Sequence, residues 1–277
     1  MFSIKNFIDN NDIQVIDNKG PFTTLEYLKD LTVLPQDAQT AFFCNKMNIR
    51  KRQVLVNLNR GNVTIQSGAM QWMVGDVTNT TGLKSLGDAL KKYVRSFATK
   101  EKMIKPEYVG TGVLVLEPTY KHLILLDVAE WNGEVVLDDG LFLACSSTLE
   151  QKAVARSTFS SAVAGNEGLF NLGLQGEGIV CLESPIPQSE LVEITLEDDV
   201  LKLDGNLAVA WSGSLEFTVE RSGKTLTGSA ASGEGLVNVY RGTGKVLISP
   251  VAATPFQTLQ TSTPQQPQQE PSGNTEE

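Results

Sequence analysis

The chain has 277 residues, 41% of them apolar, enough to close a sizeable core as one large all-β domain or two ordinary domains. The formal charge is −9, with Glu270, Glu276 and Glu277 contributing three of those charges at the end of the chain. That acidic balance argues against nucleic acid as the main partner, because backbone phosphates call for a basic surface.

The opening stretch MFSIKNFIDNNDIQ has no basic start leading into a long apolar run and no Arg- and Ser-rich amphipathic character. It reads as neither a secretory signal nor a transit peptide. No apolar run anywhere reaches the roughly eighteen residues that a spanning helix needs. Cys44, Cys145 and Cys181 are odd in number, far apart and set among apolar residues, with no C-x-x-C pairing. Each is read as a small buried residue with a reduced thiol, and a cytoplasmic protein is expected. The sequons at Asn62 and Asn79 are then chance matches.

Residues 1–37 read as a lead-in packed on a β core that runs from 38 to 254. Its first unit, 38–107, opens near FFCNKMNIRKRQVLVNL. MNIRKRQ sets Arg50, Lys51 and Arg52 side by side, a cluster that could meet an anion but more often marks a solvated loop or a charge-protected edge strand. Within GLKSLGDALKKYVRSFA, residues 82–98, Leu83, Leu86, Leu90, Tyr93, Val94 and Phe97 recur at helical spacing, with Lys84, Lys91, Lys92 and Arg95 off that face. This predicts one inserted amphipathic helix. Packing on the sheets or on another subunit is its ordinary role, and contact with an anionic membrane surface the sharper one.

Next comes VGTGVLVLEP, whose two glycines suggest a nucleotide loop. The pair recurs: Gly110 and Gly112 are followed by Gly176 and Gly178, then by Gly242 and Gly244, at a step of 66 residues. LDDGLFLACSSTLE (137–150) aligns without a gap on LDGNLAVAWSGSLE (203–216) at the same step, with seven identities. A nucleotide loop occurs once and opens a helix, whereas each of these pairs leads into an apolar β-type run. The pairs are therefore read as strand boundaries, bulges or tight turns that need positive φ. Turn signals arrive every eight to twelve residues, as in a sandwich or barrel. The expected fold is an all-β sandwich or barrel of about three repeated units of ~66 residues, bounded at 38–107, 108–173 and 174–252.

Chemistry is sparse. His122 is the single histidine, so a multi-histidine metal centre is not expected, and it reads as a strand residue hydrogen-bonded at a sheet edge. No Gly-x-Ser-x-Gly elbow is present. Ser222-Gly-Lys-Thr225 resembles the end of a P-loop, but the motif's first glycine would fall on Thr218. Asp138-Asp139, Asp198-Asp199 and Asp204 could chelate calcium weakly, though acidic turn residues are the commoner explanation. No catalytic, ligand-binding or metal residue is assigned, and no cofactor is expected. From Pro255 the chain turns to Gln, Pro, Ser and Thr, so 255–277 reads as a disordered tail or a peptide for a protein partner.

Taken together, IQSGAMQWMVGDV, KPEYVGTGVLVLEPTYKH, NEGLFNLGLQGEGIVCLESP and GEGLVNVYRGTGKVLISP resemble the family of the altered inheritance of mitochondria protein 24, including its bacterial members, over roughly residues 38–252. The resemblance implies a β-sandwich of units similar to the tryptophan RNA-binding attenuation protein, a homo-oligomer with a trimer favoured, and an unassigned biochemical function. RNA binding does not carry over, since a shared fold does not fix function. Open sheet edges in a repeated β protein point to self-association independently. The expected function is a non-enzymatic oligomeric scaffold or interaction module. The alternative is a small-ligand, glycan or nucleic-acid binder using a groove between subunits.

Overall fold

The computed structural model describes residues 1–30, 32–80, 105–155, 170–221 and 236–251, and the chain is all-β in class. In chain order, β1 (Ile13–Lys19) and β2 (Phe22–Tyr27) precede the helix α1 (Ala38–Lys46). There follow β3 (Arg52–Asn57), β4 (Val63–Ile65), β5 (Met70–Thr80) and β6 (Glu107–Leu116). The middle of the chain gives β7 (His122–Asp127), β8 (Glu134–Leu137), β9 (Phe142–Ser146), β10 (Glu150–Ala155), β11 (Phe170–Gln175) and β12 (Ile179–Ser184). The last strands are β13 (Val192–Asp204), β14 (Ala208–Ser212), β15 (Glu216–Arg221) and β16 (Leu236–Ile248).

Among the described residues these strands pair antiparallel in two sheets. One has nine strands in the order β1-β2-β3-β6-β4-β9-β12-β7, with β5 laid along β6. It curls almost into a barrel: β1 and β7, its two ends, lie side by side, and Lys19 Nζ donates to the Leu125 carbonyl across the seam at 3.1 Å. The other has seven strands in the order β10-β11-β8-β14-β16-β13, with β15 along β16. Segment 1–37, expected to pack on the core, contributes β1 and β2 to the first sheet itself.

Why the middle strands lack polar alternation is clear from the packing. HLILLD, FLACS and IVCLES are near-continuous apolar runs because both faces of β7, β9 and β12 are covered. Leu123, Leu125, Leu143, Ala144, Ile179 and Cys181 face the interior of the curled sheet, with Phe22, Val54 and Val56. Their neighbours Ile124, Leu126, Phe142, Cys145, Val180 and Leu182 face the space between sheets, with Val135, Leu137 and Leu174. At about 25 cal/mol per Å² of apolar surface removed from water, these two layers are the main source of stability.

The glycine pairs are not uniformly strand boundaries. Gly176 and Gly178 do separate β11 from β12, where the chain passes from one sheet to the other. Gly110-Gly112 and Gly242-Gly244, however, lie inside the unbroken strands β6 and β16. What the pairs share is a change of neighbour. β6 pairs with β4 before its glycines and with β3 after them, and β16 pairs with β15 before and with β14 after. Where a strand changes partner, another turn must come close, and a side chain would be in the way. A Cβ on Gly178 would meet Ser146, and one on Gly244 would meet Ser212. Those serines, 66 residues apart, make the same contact: Ser146 Oγ accepts from Ile179 N at 3.0 Å and Ser212 Oγ from Lys245 N at 2.9 Å.

The stretch FFCNKMNIRKRQ, near which the first unit is placed, opens as a helix. Pro35 starts a one-turn 3-10 helix that runs into α1, a placement its missing N–H favours. Asn48 ends α1 at φ 62°, with Ile49 N bonding Cys44 O at 2.9 Å and Asn48 N bonding Asn45 O at 3.2 Å. That is a left-handed helix cap, for which Asn is the usual substitute for Gly. The helix expected at 82–98, the Ser222–Thr225 segment and the tail 255–277 lie outside the described residues.

Candidate functional site

The segment between β2 and β3, residues 28–51, leaves the sheet and returns to it as an arm bearing α1. Its root is bound by charge. Glu26, paired in register with Arg52, accepts from Arg52 Nη2 at 2.8 Å and from Arg50 Nη1 at 2.6 Å. Lys51 Nζ lies 2.8 Å from Asp30 Oδ2. Arg52 is 2% exposed and both its terminal nitrogens are used: Nη1 reaches the carbonyls of Arg50 and Tyr120, and Nη2 reaches Asn48 O and Oδ1 at 2.9 and 2.8 Å. Asn45 Nδ2 closes the arm on the Leu28 carbonyl at 2.8 Å.

The run Arg50-Lys51-Arg52 is thus neither a solvated loop nor the start of an edge strand. β3 is interior, paired with β2 and β6, and each of the three cations meets a carboxylate. Burial lowers the Arg52 pKa, and Glu26 opposes that shift. Lys51 holds the Asp30 carboxyl down to about 2. A buried ion pair broken on one side leaves an uncompensated charge at a cost of about 3–5 kcal/mol, so this root is stiff. Sequence reading missed Glu26 and Asp30 as partners. The acid in FTTLEY and the one in YLKD carry no spacing signal toward residues 50–52, and only the β2–β3 register brings them together.

Beside the root, at the seam between β1 and β7, opens a cleft of about 490 Å³. Asp17, Glu26, Arg52 and His122 line it from four strands, with Gln188 and Ser189 from the one-turn 3-10 helix ahead of β13. His122 does start an edge strand, its backbone opposite Ser184, but its side chain makes no hydrogen bond to the described residues. Burial, and secondarily the positive charge of Arg52, bring its pKa down to about 4. Near neutral pH the imidazole is therefore uncharged, a hydrogen-bonding group in a half-buried wall.

The remaining candidates do not converge on this cleft. Asp138 and Asp139 form the β8–β9 turn with Gly140 at φ 79°, and Asp204 begins the β13–β14 turn. Asp198 and Asp199 occupy a bulge of β13, with Asp198 at φ 53°. Among the described residues no group of three or more His, Cys, Asp or Glu gathers to hold a metal ion. Cys145 and Cys181 are buried free thiols, their pKa raised by desolvation, in Cys145 to about 12, which leaves them unreactive. No helix among the described residues is long and apolar enough to cross a membrane.

Two antiparallel sheets, one nearly closed, with a polar clamp beside the seam and glycine-marked partner changes, define the class: an all-β protein. The chain belongs to the mitochondrial biogenesis AIM24 family, which it matches over residues 47–251. It is 29% identical over 195 residues to the uncharacterised protein M6_Spy0233 of Streptococcus pyogenes serotype M6, covering 68% of this chain and 76% of the relative. It is similar to the crystal structure of protein SPYM3_0169 from Streptococcus pyogenes, with a TM-score of 0.53 and 26% identity, covering 74% of this chain and 90% of the other.

Proposed function

We propose that this protein is a non-enzymatic scaffold of the cytoplasm, built of three β units of about 66 residues, which self-associates through its open sheet edges, a trimer being favoured. One observation carries the reading: among the described residues β5 and β13, strands of 11 and 13 residues, each pair along one side only. Long unpaired edges invite another chain unless something covers them. β13 exposes Val192 and Val200, and β5 exposes Met73. The structure supports the length of the step between the last two units: β9 and β14 are fully buried five-residue strands 66 apart, and β10 and β15 are six-residue strands at the same step.

The engagement of both terminal nitrogens of Arg52 supports a structural over a catalytic use of the cluster. Chromatography with light scattering tests the reading directly. The chain mass is 30.0 kDa, and an integer multiple is expected in solution, with threefold favoured. A mass of 30.0 kDa at every concentration overturns it.

A second reading, binding of a small ligand, is favoured by the seam cleft alone, where the uncharged His122 has no side-chain partner among the described residues. The nucleic-acid form of that reading loses its support, because Arg50, Lys51 and Arg52 are occupied by Glu26 and Asp30.

A further inference from the structure

We infer that the arm of residues 28–51 is a docking element that seats the apolar face of α1 on the outer edge of β13 in a second copy of this chain. The inference rests on the self-association reading and names its surface. A nine-residue helix is too short to hold itself in water and depends on packing, yet α1 buries none of its residues. Phe42 and Phe43 are 56% and 58% exposed and Met47 75%. The two rings stand edge to face at 5.6 Å, an apolar pair facing solvent. The arm does not fold back to cover them, because the ion pairs of Arg50, Lys51 and Arg52 fix its root.

Size and charge select the occupant. With Leu34, these side chains present on the order of 400 Å² of apolar surface, near the largest patch on an ordinary monomer. A stable interface takes roughly 800 Å² per partner, so the rest of the contact must come from another exposed element. β13 supplies one at its bulge: Val200 is 46% exposed beside the exposed Glu197, Asp198 and Asp199, with Lys202 two residues further on. The one charged side chain of α1 is Lys46, lying over the Phe42 ring at 5.3 Å. Arm against arm would bring Lys46 toward Lys46, whereas arm against β13 brings it to carboxylates. The acids of β13 also deter pairing with another strand, leaving a cationic helix as the better match. Two different surfaces joined head to tail close into a ring when the rotation between copies is a whole fraction of a turn, one third for the trimer favoured above.

Complementation tests the inference in the full-length protein. An arm variant carries Phe42→Ser and Phe43→Ser; an edge variant carries Glu197→Lys and Val200→Lys. Each alone is expected at the single-chain mass of 30.0 kDa, folded by circular dichroism, with a melting temperature that no longer depends on concentration. Mixed one to one, they retain one intact arm and one intact edge, and a species of twice that mass is expected. Met47→Ser is the milder arm variant, expected to weaken association about tenfold, as loss of one buried side chain does. The inference is overturned if the arm variant keeps the wild-type mass or if the mixture stays single. A wild-type chain that is itself single at every concentration sinks the self-association reading along with it, so the two failures are told apart.

Discussion

At His122 the single imidazole of the chain sits where burial and the Arg52 guanidinium both oppose its protonation, and the consequence is readable in stability. In the unfolded chain the group takes up its proton near 6.5, in the fold only near 4. Between those values the unfolded state holds the extra proton, so stability rises with pH. The contribution is complete above pH 6.5 and is lost progressively as pH falls toward 4. Replacing His122 with Gln should flatten melting temperature against pH across that window relative to wild type. Equal slopes for the two proteins would show that the group is solvated. The histidine itself was legible in the sequence as a strand residue at a sheet edge, though not its lack of a side-chain hydrogen bond to the described residues. The neighbour that tunes it was not, because Arg52 lies seventy residues upstream and arrives through β3 and the Thr119 backbone bridge.

Among elements, the glycine pairs show how far pattern reading reaches. Their recurrence at a step of 66 was visible, and so was the demand for positive φ, which five of the six glycines meet. Their location inside β6 and β16 was not, since a strand that changes neighbour looks in sequence like two strands with a turn between. The close approaches also differ. A Cβ on Gly110 would run into the Asp76 carbonyl of β5, whereas one on Gly242 would find Ser214 O no nearer than 3.8 Å. Both have φ well into the glycine region, 120° and 113°. Gly242→Ala should therefore cost the backbone strain alone, about 1–3 kcal/mol, and Gly110→Ala distinctly more. Urea unfolding of the two variants checks this, and equal losses would remove the collision at β5. The helix α1 went unread for a related reason: nine residues give barely two turns of periodicity, and its two phenylalanines look like the start of a buried strand. The cap at Asn48 was the signal available.

For the whole molecule, the class of fold and the family were legible because apolar runs, turn spacing and internal repeats are properties of the chain alone. How the nine-stranded sheet curls until β1 meets β7, and how the arm is clamped, depend on long-range register that no local pattern carries. The same logic governs assembly. Among the described residues of one copy, nothing pairs with the outer side of β13 and the apolar face of α1 is exposed, and the scaffold reading holds that a second copy covers both. Hydrogen–deuterium exchange of the wild-type chain across a dilution series puts this most directly. The outward amides of β13 and those of α1 should be protected when concentrated and should lose that protection together on dilution, while β7, β9 and β12 stay protected throughout. Fast exchange of β13 and α1 at every concentration would contradict the account.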